Sequence, residues 1–215
     1  MEKNIFFLLY HFADLLLLLT FLFWIWTCAF KTKPFRFIFY YLTSALIILS
    51  VKELMNFGVF KQFNWLMLIF SFLHLLFLGL FLLRNPVSLS NWVVYFFSTL
   101  VFLNLLVIFF DVFNNTWYSA SFANVSLIIF CALSYNKLFR GSNTIENASK
   151  SSIMILNGIF LSTTFCTPVI LFSKYLGSIL NEQQYYLVAC MGPISSVILY
   201  LFIFNSARCL KRAPK

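Results

Sequence analysis

Seven long apolar segments occupy most of this chain of 215 residues, and basic residues gather on every second connection between them. A hydrocarbon core of about 30 Å is crossed by roughly 20 apolar residues in a helix. The segments that meet this length run approximately over 5–30, 36–53, 64–83, 92–113, 117–136, 152–173 and 184–207. We therefore predict an all-α polytopic integral membrane protein, in which residues 1–215 form one bundle of seven transmembrane helices.

Lysine and arginine are unequally shared between the two sides that this threading defines. Eleven of the 15 basic residues fall on the first, third and fifth connections and the C-terminal tail: Lys31, Lys33, Arg36, Arg84, Lys137, Arg140, Lys150, Arg208, Lys211, Arg212 and Lys215. The opposite side carries Lys3, Lys52, Lys61 and Lys174. Because basic connections are retained in the cytoplasm, the N-terminus is predicted to lie outside and the C-terminus in the cytoplasm.

The composition excludes an ordinary water-soluble domain. Hydrophobic residues make up 62% of the chain, charged residues make up 10%, and the mean hydropathy is +0.92. Soluble domains are about half apolar and a quarter charged. The net charge of +9 would suit a nucleic-acid partner, but the basic residues lie at the ends of the apolar segments. We therefore predict that they bind anionic lipid headgroups of the bilayer, and we expect no nucleic-acid partner.

A few polar side chains interrupt the apolar segments near their middle. Asp14 lies inside the first segment, with His11 one helical turn before it, and His74 and Asn104 lie inside the third and fourth. Buried charge is costly in a bilayer, so such residues indicate function by default. One hypothesis is a ligand-binding or proton-linked pocket in which Asp14 faces His74, with Asn104 nearby. The alternative is hydrogen bonding between helices that only fixes their packing, at about 0.6–2 kcal/mol a bond.

A second polar group is expected at the outer rim of the bundle. Lys52, Glu53 and Asp111 all fall near segment ends on the predicted outer side. They are either solvated loop charges that contribute little to stability or the lip of an external binding site.

Enzyme signatures are missing from the sequence. Only two histidines occur, in different segments, without the HExxH spacing of a zinc hydrolase, and there is no GxSxG or phosphate-binding glycine loop. A zinc site of the catalytic type needs about three protein ligands and a water. We therefore predict no catalytic residue, no metal and no cofactor, and an intramembrane hydrolase remains only a third interpretation.

Three stretches carry a resemblance to a known group of proteins. They are KPFRFIFYYL over 33–42, NWLMLIFSFLHLLFL over 64–78 and LYLFIFNSA over 199–207. The chain resembles small seven-span membrane proteins of Bacteroidetes-type bacteria, which are similar to the membrane-embedded sensory segments that precede histidine kinases. The resemblance implies a bacterial cytoplasmic (inner) membrane and a histidine kinase or another membrane protein as partner.

The sequence thus favours a non-catalytic seven-helix protein of receptor or sensor type. It would recognise a small or lipophilic ligand, or act with a partner membrane or signalling protein. The alternative interpretation is a small-solute carrier that couples transport to protons through Asp14 and His74.

Overall fold

The computed structural model describes residues 2–31, 33–56, 65–84, 90–114, 118–140 and 150–212, and nearly all of them are helical. Six long helices come first: α1 Glu2–Thr27, α2 Arg36–Asn56, α3 Trp65–Arg84, α4 Asn91–Asn114, α5 Tyr118–Arg140 and α6 Lys150–Leu171. Two short helices follow, α7 Ser173–Ile179 and α8 Glu182–Ala189, and then the long α9 Met191–Arg212. Single 3-10 turns, Ala29–Lys31 and Lys33–Phe35, join α1 to α2. The all-α prediction is confirmed for these residues.

The first six predicted segments each correspond to one long helix, and local chemistry explains where α1 ends. The first helix stops at Thr27 because Cys28 has a φ of 52°, a left-handed conformation that cannot continue an α-helix. The seventh predicted segment is two helices, α8 and α9, separated at Cys190. Pro193 lies in the first turn of α9, where the missing N–H disrupts no helical hydrogen bond.

Five helical stretches in the described ranges are long and apolar enough to cross a membrane: Glu2–Thr27, Asn91–Val112, Tyr118–Arg140, Lys150–Leu171 and Glu182–Leu210. The last of these runs through α8 and most of α9. Leu68–Arg84, within α3, is a shorter apolar helix. Helix α2 is not among the five and carries Arg36, Lys52 and Glu53 within its length. The molecule has the helices of an integral membrane protein, whereas the count of seven spans and their orientation stay predictions.

The directions of the long helices follow from which residues meet. Helices α1 and α2 pack antiparallel, through Phe21–Phe39 and Tyr10–Lys52. Helix α3 runs antiparallel to α2, since Phe81 meets Phe35 just before α2 and His74 meets Tyr41 within it. Helices α4 and α5 are also antiparallel, through Phe97–Phe130 and Asn104–Ser119. Helices α1 and α9 run in the same direction, because Thr20 contacts the Tyr200 carbonyl and Trp24 donates to the Ile203 carbonyl at 3.1 Å. Glu2 and Arg212 therefore lie at opposite ends of the bundle.

Six of the long helices close a ring, and the seventh lies outside it. Around the ring the order is α1, α2, α3, α5, α6 and α9, with α9 packed again on α1. Helix α4 packs on the outside of α3 and α5 and buries a single stripe made of Val93, Phe97, Leu100, Asn104 and Asp111. The rest of α4 exposes large apolar side chains, as expected of a helix surrounded by lipid.

Away from the centre of the ring, polar side chains bond helix to helix. The Tyr135 hydroxyl donates to Asn157 Oδ1 at 2.5 Å, which joins α5 to α6. The Ser151 hydroxyl donates to the Ser206 carbonyl at 3.0 Å, which joins α6 to α9. Bonds of this kind contribute about 0.6–2 kcal/mol each and set the register of the packed helices.

Candidate functional site

A cavity of about 430 Å³ lies inside the ring. Side chains from all six ring helices line it, together with Ala189 of α8. The lining positions lie mainly toward the end of the bundle where α1, α3, α5 and α9 begin and where α2 and α6 end. This space is within the usual range of about 300–1,000 Å³ for pockets that hold small ligands.

Most of the cavity wall is apolar. Leu17, Leu49, Phe70, Val169 and Leu199 come from five different helices and together surround the space with hydrocarbon. Ligand pockets characteristically combine such walls with a few polar groups that orient the ligand.

One polar group lies between α1 and α2. The Lys52 ammonium donates a hydrogen bond to the Tyr10 hydroxyl and lies 3.7 Å from the centre of the Tyr10 ring. The Asp14 carboxylate is half-buried one helical turn further along α1, within electrostatic range of Lys52. The cavity therefore has an acidic side chain, Asp14, near a basic one, Lys52, and the ammonium of Lys52 is already bonded to a tyrosine.

A second polar group lies deeper, where α2, α3 and α9 meet. Tyr41 of α2 and Tyr200 of α9 are both buried and both line the cavity. The His74 ring meets the Tyr41 ring edge to face, with 5.4 Å between the centroids. The Nδ1 atom of His74 is buried and has no hydrogen-bond partner among the residues that the structure describes. An unsatisfied ring nitrogen is therefore present in the wall of the cavity.

The far wall consists of small side chains. Ala120 and Ala123 of α5 and Ser162 and Thr163 of α6 line the cavity. The Thr163 hydroxyl donates to the Ile159 carbonyl of its own helix at 2.7 Å, so it is already satisfied. Because these side chains are short, the cavity remains open between helices that pack closely elsewhere.

Of the four residues predicted to form a pocket, the structure brings two to one space. Asp14 and His74 both line the cavity, from α1 and α3, with α2 between those two helices in the ring. His11 is exposed on the outer surface of α1 and lies edge-on to Tyr10 at 6.3 Å. Asn104 lies on α4, outside the ring, where its amide donates to the Ser119 carbonyl at 3.0 Å. Asn104 does not line the cavity, because the stripe of α4 that carries it packs against α5.

The three residues expected at the outer rim do not form one group. Lys52 lines the cavity, and Glu53 lines a separate groove between α1 and α2. Asp111 is only 1% exposed, and its two carboxylate oxygens accept from the backbone N–H groups of Tyr118 and Ser119 at 3.1 and 2.6 Å. Asp111 caps α5 because the first N–H groups of a helix have no partner within it.

The sequence interpretation missed the tyrosines of the cavity. Tyr10, Tyr41 and Tyr200 all line it, and all three lie within apolar segments. Tyrosines at membrane surfaces concentrate at segment ends, where the hydroxyl reaches water. Those placed deeper need a partner inside the protein, so their positions were the available signal for a polar interior.

Within the described ranges, no three side chains of His, Cys, Asp and Glu gather closely enough to hold a metal ion. Comparison with protein-family models, with curated proteins and with solved structures returned no match for this chain.

Proposed function

We propose that this protein is a non-catalytic seven-helix receptor or sensor that binds a small lipophilic ligand in the cavity of its six-helix ring. It would lie in a bacterial cytoplasmic membrane and pass the signal to a partner, such as a histidine kinase or another membrane protein. The observation that carries the proposal is the cavity itself, since a bundle that served only as an anchor would pack its centre closely.

The orientation proposed for the bundle is N-terminus outside and C-terminus in the cytoplasm. Supporting it, α1, α3, α5 and α9 end, and α2 and α6 begin, at one end of the bundle. The basic residues Lys31, Arg36, Arg84, Lys137, Arg140, Lys150 and Arg208 lie at that end. With this end in the cytoplasm, the cavity lies in the outer half of the membrane.

Reporter fusions test this orientation. We expect reporters joined after 147 and after 215 to give cytoplasmic signals, and a reporter joined after 115 to give an external signal, because retained basic connections set the topology. Alkaline phosphatase and green fluorescent protein fusions measure the two outcomes. A cytoplasmic signal at 115 would overturn the seven-span threading.

Filling the cavity is expected to abolish ligand binding. Ala120→Phe puts a ring into the space between α5 and the apolar wall, whereas Ala132→Phe puts the same ring on the exposed surface of the same helix. The measurement is native mass spectrometry of the full chain in nanodiscs with dodecylamine, dodecanol and dodecanoate. At least one of these probes should bind one to one, with about a tenfold loss in Ala120→Phe and none in Ala132→Phe.

The receptor proposal is contradicted if none of the three probes binds the unaltered protein, or if the two phenylalanine variants bind equally. Thermal unfolding of both variants in the same nanodiscs shows whether each remains folded. A loss of binding in a folded Ala120→Phe protein is therefore a loss of the site.

The second candidate, a proton-coupled carrier, is favoured by one observation: Asp14 and His74 line the same cavity. A carrier would move a solute across proteoliposomes in response to a pH gradient, and Asp14→Asn would abolish that coupling. The matched control is His11→Asn, which changes an exposed residue on the same helix. A receptor shows no flux in any of these variants.

A further inference from the structure

A groove between α1 and α2 opens on the outer surface of the ring. Seven residues line it: Asp14, Leu15, Leu18, Leu46, Leu49, Ser50 and Glu53. Two of these residues, Asp14 and Leu49, also line the central cavity. We call this space the α1–α2 groove. The groove and the cavity therefore adjoin at those two side chains.

The α1–α2 groove lies at the weakest seam of the ring. Among the six helix pairs that close the ring, α1 and α2 pack together least extensively. Leu15 and Leu18 are 53% and 43% exposed, so the groove opens onto the surface that hydrocarbon would cover in a bilayer. Movement of the Leu49 and Asp14 side chains would join the groove to the cavity, and side chains change rotamer far faster than helices separate.

The charges around this opening favour a cation. The groove contains the Asp14 and Glu53 carboxylates and no basic side chain among its described lining residues. Lys52 points to the cavity side and is engaged by Tyr10, and His11 lies on the outer surface within electrostatic range of Asp14. A carboxylate pair with low-dielectric surroundings attracts an ammonium group strongly.

The geometry points to lateral entry of a cationic amphiphile. In this proposal a single-chain molecule with an ammonium headgroup, dissolved in the bilayer, passes through the α1–α2 groove. Its headgroup stays between Asp14 and Glu53, and its chain occupies the apolar cavity beside Leu17 and Leu199. The inference rests on the proposed function and adds the ligand class and the route to it.

The headgroup preference is tested with three probes of equal chain length. Dodecylamine, which is charged at neutral pH, is expected to bind the full chain in nanodiscs about tenfold more tightly than dodecanol or dodecanoate. Asp14→Asn and Glu53→Gln should each weaken dodecylamine binding about tenfold and leave dodecanol unchanged. Glu182→Gln, an exposed acidic position on α8, is the matched control and should have no effect.

The route is tested by obstructing the groove without entering the cavity. Leu18 lines only the groove, and its neighbour Leu19 is similarly exposed but lines neither space. Leu18→Trp should slow the release of radiolabelled dodecylamine into added protein-free vesicles about tenfold, because a narrowed portal slows entry and exit alike. Leu19→Trp should release the probe at the original rate.

Each outcome separates this inference from the proposed function. If dodecanol or dodecanoate binds as tightly as dodecylamine, and Ala120→Phe still blocks binding, the cationic ligand class is wrong while the receptor proposal stands. If Leu18→Trp and Leu19→Trp release the probe equally fast, the lateral route is wrong. If no probe binds at all, the proposed function itself fails.

Discussion

Gly158→Ala is expected to lower the free energy of unfolding by about 1–3 kcal/mol, although alanine is normally the better helix former. A Cβ atom at this position would lie 2.6 Å from Phe202 Cβ and 3.1 Å from Phe202 Cγ. Phe202 Cβ is attached directly to the backbone of α9, so it cannot rotate away. The two helices would have to move apart, along the most extensively packed contact in the bundle.

The matched control for this prediction is Gly192→Ala, near the start of α9. A Cβ atom there meets nothing within 4 Å, so this variant should be neutral or more stable by up to about 1 kcal/mol. Equilibrium unfolding in mixed detergent micelles measures both variants. Equal stabilities for the two proteins would show that close contact between α6 and α9 is not what requires a glycine at 158.

Asp111→Ala is expected to destabilise the protein by about 1–3 kcal/mol. The change removes the acceptor for two backbone N–H groups at the start of α5, those of the exposed Tyr118 and the buried Ser119. Bonds from N–H groups to a carboxylate are stronger than neutral ones, and the carboxylate also lies at the positive end of the α5 dipole. Asp111→Asn should lower the stability less, because the amide keeps one oxygen acceptor.

Asp111→Ala should also loosen the start of α5 locally, in addition to lowering the stability of the whole protein. Hydrogen exchange of the Tyr118 and Ser119 amides is expected to accelerate in Asp111→Ala before the rest of α5 opens. Ser98→Ala is the control on α4, the helix that carries Asp111. Ser98 is exposed, and its hydroxyl donates to the Val94 carbonyl one turn earlier. If Ser98→Ala destabilises the protein as much as Asp111→Ala, the capping explanation is wrong.

The positions of the long helices could be predicted from the sequence because they depend on properties of continuous segments. An apolar run must satisfy its own backbone hydrogen bonds when water is absent, and a helix does so within the segment. The predicted segment over 64–83 therefore corresponds to Trp65–Arg84, and the segment over 92–113 corresponds to Asn91–Asn114. Hydropathy does not show the division of 184–207 at Cys190, because the apolar character continues across it, and Pro193 three residues later is the sequence signal for a break there.

The inward face of each helix could not be predicted in the same way. In a membrane protein the lipid and the interior are both apolar, so leucine and phenylalanine mark neither side. His11 and Asp14 are three residues apart on α1, yet His11 is exposed and Asp14 lines the cavity. Asn104 and Asp111 were predicted to lie near a pocket and at a rim, and the structure shows that both bond α4 to the start of α5.

By itself, the sequence determined that the chain is helical, approximately where its long helices begin and end, and that its basic residues collect at alternate ends of them. Helix formation and helix bounds depend on residues that are neighbours in the chain. The distribution of lysine and arginine depends on the side of a membrane on which positive charge is retained. Only the tertiary structure decided that six helices form the ring, that α4 stays outside it, and that Asp14, Lys52 and His74 share one cavity. Those relations depend on contacts between residues distant in the chain, made through apolar surfaces that the sequence pattern does not distinguish from the surfaces that meet lipid.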